Sequence, residues 1–320
     1  MSIWTALSDY VSGILQPAQW FVDWIGGAGE PGTRRVGPER ALTYAAVYRA
    51  VSLISGQTAT LPLHVYQRLS DTERVRVAGH PVERLFNDRA NDEMDALAFL
   101  ELFVSWAPLW GNGYALIQRA GPRVVGLWPL EPWRVEPGRR EPGNPGSPLV
   151  YRYTSDRGEP RIYNPSDILH LKNLTRDGIV GRSIVTAARE AIGLGLAQQG
   201  FMANFYENNA TPAGALVSKA RLTRKAQKEL RKQWQDMHGG PDNAGKTGVL
   251  HGDLEFRQFG MSLLDAQFLE NRKLNVLEIA RMFGVPPHLL FDLDRATYSN
   301  IEAQGIEWLT YGLRYWLTKV

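Results

Sequence analysis

Cysteine is absent from the 320 residues, which excludes disulfides, thiolate metal sites and a cysteine nucleophile, and suits a reducing compartment. No run of eighteen or more apolar residues is available to span a membrane, and the N-terminus lacks the charged start and cleavage pattern of a secretory signal. Excess charge is missing too. The net charge of +3 and isoelectric point near 9.0 are too mild to mark a nucleic-acid binder by themselves. The six histidines, at 64, 80, 170, 238, 251 and 288, show neither HxxxH nor HExxH spacing. No GxSxG elbow occurs, and Asp292 and Asp294 stand beside no recognisable base or nucleophile. An enzyme is therefore not expected, nor a metal or cofactor.

What is present is apolar content of 44% in a chain longer than one compact core, so two or more subdomains are expected. Residues 1–40 open with Trp4, Leu7, Val11, Ile14 and Leu15 at helical spacing, followed by an aromatic arm and a Gly, Pro and Arg linker. This arm lacks the Lys and Arg of a membrane-surface helix and reads as a docking arm. Tyr44, Val47, Tyr48, Val51 and Ile54 predict one helical face, and Asp95 to Leu109 a second helix ending at Gly111-Asn112-Gly113. Short strands such as RVVGLWPL and LVYRYT follow, then a helix over about 183–208 in which Gly193, Gly195 and Gly200 call for close backbone packing.

A small insertion comes next: the strand GALVSK, a helix from Thr223 to about His238, and the strands TGVLHG and LEFRQFG. Ala226, Leu230, Trp234 and Met237 form the apolar stripe of that helix, while Arg224, Lys225, Lys228, Arg231 and Lys232 cluster on the remaining face. On a monomer such a cluster is a solvated face; repeated around a ring it becomes a band able to meet phosphates or acidic partners. A further helix, capped by Ser262, ends near Phe283. The order helix, αβ insertion, helix is the most informative feature of the chain.

Gly240 to Thr247 fits the phosphate-loop pattern GxxxxGK[ST], which makes a P-loop NTPase the alternative function. The context opposes it, because a basic helix precedes the match and a strand pattern follows, whereas a phosphate loop leaves a strand and opens a helix. After the next helix, GVPPHLLFDLDRATYSN interrupts with a double proline. The prolines are expected to stop the helix, and Leu289, Leu290 and Phe291 to pin the loop base to the core.

Several segments, in this order, resemble the portal proteins of HK97-like tailed bacteriophages: ATLPLHVYQR, WGNGYALIQR, DILHLK with DGIVGRSIVTAAREAI, FYENNATPAGAL, NAGKTGVL, and DAQFLENRKLNVLEIARMFGVPPHLL followed by TYSNIEAQ. The resemblance implies an α+β portal fold. Its parts would be an α/β wing domain at 41–180, long stem helices at 181–209 and 260–283, and a small αβ clip domain inserted between them at 210–259. A tunnel loop at 284–300 and a following helix at 301–320 would complete the chain. Against the family's pattern the C-terminal crown is expected to be missing, as in a truncated chain or a shortened relative.

The resemblance further implies a homo-oligomeric ring, typically a dodecamer, at one capsid vertex of the virion, assembled in the host cytoplasm. Double-stranded DNA would pass through it in packaging and ejection. The terminase large subunit, a major capsid or scaffold protein and a head-tail adaptor are the implied partners. ATP hydrolysis would belong to the terminase, leaving the phosphate-loop match as a clip turn. The tunnel loop would carry the channel-facing residues Asp292, Asp294, Arg295, Thr297 and Tyr298. The basic helix would face a partner.

Overall fold

The computed structural model describes residues 36–156, 158–207, 214–218, 222–238, 254–258, 264–293 and 298–320. The N-terminal arm lies outside the described residues. The chain divides into two compact units, Met1–Gly193 with Val276–Val320, and Leu194–Asn275.

The first unit begins with a short helix α1, Pro38–Leu42, and a long helix α2, Ala45–Thr60. Val47, Val51 and Ile54 are buried at the predicted spacing, and Tyr44 just before the helix is buried with them. Tyr48 departs from that face and is 60% exposed. The exposed hairpin β1, Tyr66–Arg68, and β2, Arg74–Arg76, leads to α3, Pro81–Asn87, and then to α4, Ala96–Trp110. Asp95 caps α4 by accepting the Ala98 N–H at 2.7 Å. Helix α4 packs on α2, and its Phe99, Leu100, Phe103 and Val104 are all essentially inaccessible to solvent. Each contributes roughly 1.5–3 kcal/mol by burial.

Two antiparallel sheets complete this unit. In the first, β3 (Asn112–Ala120) lies between β4 (Arg123–Leu130) and β8 (Ile168–Lys172). In the second, β6 (Leu149–Thr154) lies between β5 (Val135–Arg139) and β7 (Pro160–Tyr163). Tyr114, Leu130, Val135, Tyr151 and Ile168 form one buried cluster that joins the sheets.

A polar chain lies beside that cluster. Nε2 of His170 lies 2.9 Å from Oδ1 of Asn112, and Nδ1 lies 3.0 Å from the Tyr151 hydroxyl. Asn112 also brackets the Gly181 peptide, accepting its N–H at 2.7 Å and donating to its carbonyl at 3.1 Å. Because Oδ1 of Asn112 can only accept, Nε2 carries the imidazole proton and the tyrosine donates to Nδ1. Burial, reinforced by Lys172, lowers the His170 pKa to about 3, so the ring is neutral. Burial likewise raises the Tyr114 and Tyr151 phenols.

The Gly181 peptide crosses the end of α4, where Gly111 takes φ +87°. A Cβ on Gly181 would lie 2.0 Å from the Gly111 carbonyl oxygen, and one on Gly111 would lie 2.3 Å from that of Gly181. Two backbones meet with no room for a side chain. Ser183 ties the same crossing down, donating from Oγ to the Leu109 carbonyl and accepting the Thr186 N–H at 3.0 Å.

The expected long helix over 183–208 is two pieces, α5 (Ile184–Ala187) and α6 (Arg189–Glu207). Among the described residues, Gly193 and Gly200 meet no other backbone, contrary to expectation. A Cβ on Gly193 would touch only the Val36 side chain at 3.6 Å, and one on Gly200 would meet nothing within 4 Å.

The second unit pairs β9, Gly214–Ser218, antiparallel with β10, Leu254–Gln258. Between them in sequence runs α7, Arg224–His238, capped by Thr223, whose Oγ1 accepts the Ala226 N–H at 3.3 Å. Helix α8, Leu264–Phe283, returns the chain to the first unit. There α9 (Tyr298–Glu307), a π-helical turn (Trp308–Leu313) and α10 (Arg314–Lys319) form one continuous helical run.

Candidate functional site

Two places concentrate the residues expected to act: the segment after α8 and the basic face of α7. Helix α8 is stopped by Gly284 rather than by the prolines. Gly284 takes φ +64°; its N–H donates to the Arg281 carbonyl at 3.3 Å, and the Val285 N–H donates to the Ala280 carbonyl at 3.0 Å. That pair of bonds is a Schellman cap, sealed here by buried Ala280 and Val285. The prolines then direct the next step, the 3-10 turn Pro287–Leu290.

A second closure of the same kind follows. Phe291 takes φ +64°, its N–H donating to the His288 carbonyl at 3.0 Å, while the Asp292 N–H donates to the Pro287 carbonyl at 3.1 Å. Among the described residues Phe291 alone adopts this backbone without being glycine, a conformation that costs of order 1 kcal/mol or more. Its ring is 76% exposed, so it does not pin the loop to the core as expected. It lies instead under the Arg49 guanidinium, 5.1 Å from the ring centroid, while Nε of Arg49 donates to the Leu289 carbonyl at 3.1 Å. Leu289 and Leu290 are half-buried, and Val285 takes the core position.

The two ends of the loop are joined by a side-chain bond. Buried His288 donates from Nδ1 to Oε1 of Gln304, at 2.8 Å, so the turn before the loop is held to α9 after it. Farther along, Trp308 lies over Gly312. A Cβ there would fall 2.5 Å from Cδ1 of Trp308 and 3.0 Å from the Gly284 carbonyl oxygen, which makes the π turn and the α8 cap one packed unit. Of the residues expected to face a channel, Asp292 is half-buried at the loop base and Tyr298 opens α9. Asp294, Arg295 and Thr297 lie outside the described residues. Arg49, His288, Gln304 and Gly312 were not anticipated, because their partners are distant in sequence or lie across a turn.

On α7, Arg224, Lys225, Lys228, Arg231 and Lys232 are all exposed. At about 100° per residue they occupy an arc of roughly 120°. Leu230 and Trp234, on the other side, are half-buried, although Ala226 of the expected stripe is exposed. The phosphate-loop match, Gly240 to Thr247, lies outside the described residues. The described element that follows it is the strand β10, not a helix. Among the described residues no cluster of three or more His, Asp or Glu side chains could hold a metal ion, and no helix is long and apolar enough to cross a membrane.

These elements, a small αβ insertion between α6 and α8 and a helical C-terminal run after the α8 cap, belong to a known class of viral protein. The family model for phage portal proteins matches residues 45–320, and this chain belongs to that family. It is 31% identical over 296 residues to the portal protein of Enterobacteria phage HK97, covering 91% of this chain and 68% of that protein. It also superposes on a chain in the neck of a native GTA particle computed with C12 symmetry, with TM-score 0.57 and 25% identity, covering 93% of this chain and 86% of that one. An HK97 family phage portal protein from Corynebacterium diphtheriae shares the fold at TM-score 0.63 and 16% identity, covering 91% of this chain and 88% of that one. The α+β portal fold expected from the sequence is the fold observed.

Proposed function

We propose that this chain assembles into a ring at one vertex of a phage or phage-like capsid and acts there as the passage for double-stranded DNA in packaging and ejection. The family match over residues 45–320 carries this reading, and the C12 neck structure supports a twelve-fold ring. In it, residues 41–180 with the C-terminal helices form the wing, α6 and α8 the stem, and 210–259 the clip. Asp292, Asp294, Arg295, Thr297 and Tyr298 face the channel on a loop whose ends the His288–Gln304 bond holds together.

The passage moves DNA without gripping it, because each added phosphate contact strengthens binding and slows transit. The small net charge of +3 and the mixed charges of α8, with Glu270 and Glu278 beside Arg272 and Lys273, fit that requirement. The chain does no chemistry on nucleotide in this account. The terminase large subunit docks on the exposed basic face of α7, and a major capsid or scaffold protein and a head-tail adaptor take other surfaces. Its place is the virion, after assembly in the host cytoplasm.

Reversing Arg224, Lys228 and Arg231 to Glu is expected to weaken terminase binding at least tenfold while the mass of the assembly stays unchanged, as read by pull-down and light scattering. Unaltered docking would remove α7 from the partner surface.

A further inference from the structure

Two clefts open beside the α8 cap and share Arg281, Gly284, Tyr311 and Gly312. One, of about 520 Å³, is walled by Leu277, Val285, Pro286, Pro287 and Trp308, with Glu307 at its edge. The other, of about 440 Å³, is walled by Ile184, Ala187, Phe283, Tyr315 and Trp316, with Arg182 beside it. Tyr311, between them, is 82% exposed. Neither Arg182 nor Arg281 forms an ion pair among the described residues. The double cleft is thus largely apolar and aromatic, edged by Glu307 and by two arginines that make no ion pair among the described residues.

A segment with the complementary composition belongs to this same chain. Residues 1–33 carry Trp4, Trp20, Phe21 and Trp24, the acids Asp9, Asp23 and Glu30, and no Lys or Arg. The described chain begins at buried Val36, whose side chain lies against Gly193 of α6. Ala187, in the cleft wall, precedes Gly193 by six residues, or about 9 Å of helical rise. Extended, the stretch from Trp24 to Val36 spans up to about 40 Å, several times what is needed.

We propose that the double cleft is the seat of the chain's own N-terminal segment, with Trp20, Phe21 and Trp24 filling its apolar walls and Asp23 set against Arg281. The aromatic segment removes apolar surface from water, and its carboxylate supplies a counter-charge to Arg281. This docking is internal to one subunit and stands apart from ring assembly.

The absence of native cysteine makes the test clean. The full-length chain carrying Trp24→Cys with Tyr311→Cys, treated with a short bismaleimide, is expected to give a cross-linked peptide pair at monomer mass on a denaturing gel. No link, or a link only at dimer mass, overturns the proposal; the second outcome assigns the cleft to a neighbouring copy. In a chain with Tyr311→Cys alone, maleimide labelling at position 311 is expected to quicken about tenfold when Trp20→Ser and Trp24→Ser are added, with circular dichroism unchanged. An unchanged labelling rate is equally fatal to it. Light scattering on the same samples reports the ring separately, so either reading can fail without the other.

Discussion

Gly181→Ala is expected to destabilise the first unit by about 3–5 kcal/mol, at or above the upper end of the ~0.5–3 kcal/mol that most substitutions cost, because it forces packed backbones apart. The new methyl carbon would sit 2.0 Å from the Gly111 carbonyl oxygen and 2.7 Å from the Asn173 nitrogen, both main-chain atoms that no rotamer change can move. Relieving the clash separates the loop from the end of α4. That strains the Asn112 bracket on the Gly181 peptide and the bond from the Asn173 N–H to the Gly111 carbonyl, 2.9 Å. Urea denaturation followed by circular dichroism measures the loss. Gly138→Ala is the control, since a Cβ there meets nothing within 4 Å. A loss below about 1 kcal/mol at Gly181 would show that the crossing is looser than described.

The second large effect is on pH dependence. His170 is held neutral, with a pKa of about 3 against an ordinary value of 6.5, chiefly because burial penalises the imidazolium. The unfolded chain therefore takes up this proton more readily than the folded one. The histidine's contribution is complete above about pH 6.5 and is lost as pH falls from there towards 3, at no more than about 1.4 kcal/mol per pH unit. Between pH 6.5 and 5, above the range where most carboxylates titrate, His170→Gln is expected to flatten the slope of unfolding free energy by about 1 kcal/mol per unit. The amide can still donate to Asn112, which preserves part of the network. A variant with the parent slope would mean that His170 is protonated without cost, contrary to its half-buried position between Asn112 and Tyr151.

Much of the fold could be read from the chain because local rules fix it. Asp95 caps α4, and Val47, Val51 and Ile54 mark the buried face of α2 at helical spacing. The order helix, insertion, helix was legible for the same reason, as was the basic arc of α7, which needs only the helical period. What escaped depends on contacts between residues far apart in sequence. The Gly111–Gly181 crossing joins residues seventy positions apart, and a glycine pattern cannot say which backbone it will meet. The same ambiguity holds at Gly193 and Gly200, which no other backbone approaches among the described residues.

At the loop base the double proline is the more conspicuous signal, yet Gly284, with its left-handed φ, supplies the cap; proline removes a donor, but glycine closes the turn. Hydrophobicity alone points Phe291 towards the core. Its own backbone conformation turns it outwards, to lie beneath Arg49. The His288–Gln304 bond joins two elements across the loop, and neither residue carries a sequence signature for that role.

The central claim is that this chain forms a ring with an open axial passage. Negative-stain electron microscopy of the purified protein, with class averages viewed down the axis, tests it most directly. The account predicts closed rings with a central opening and twelve-fold symmetry; a uniform population of single-chain particles, at concentrations where the protein is otherwise folded, would contradict it.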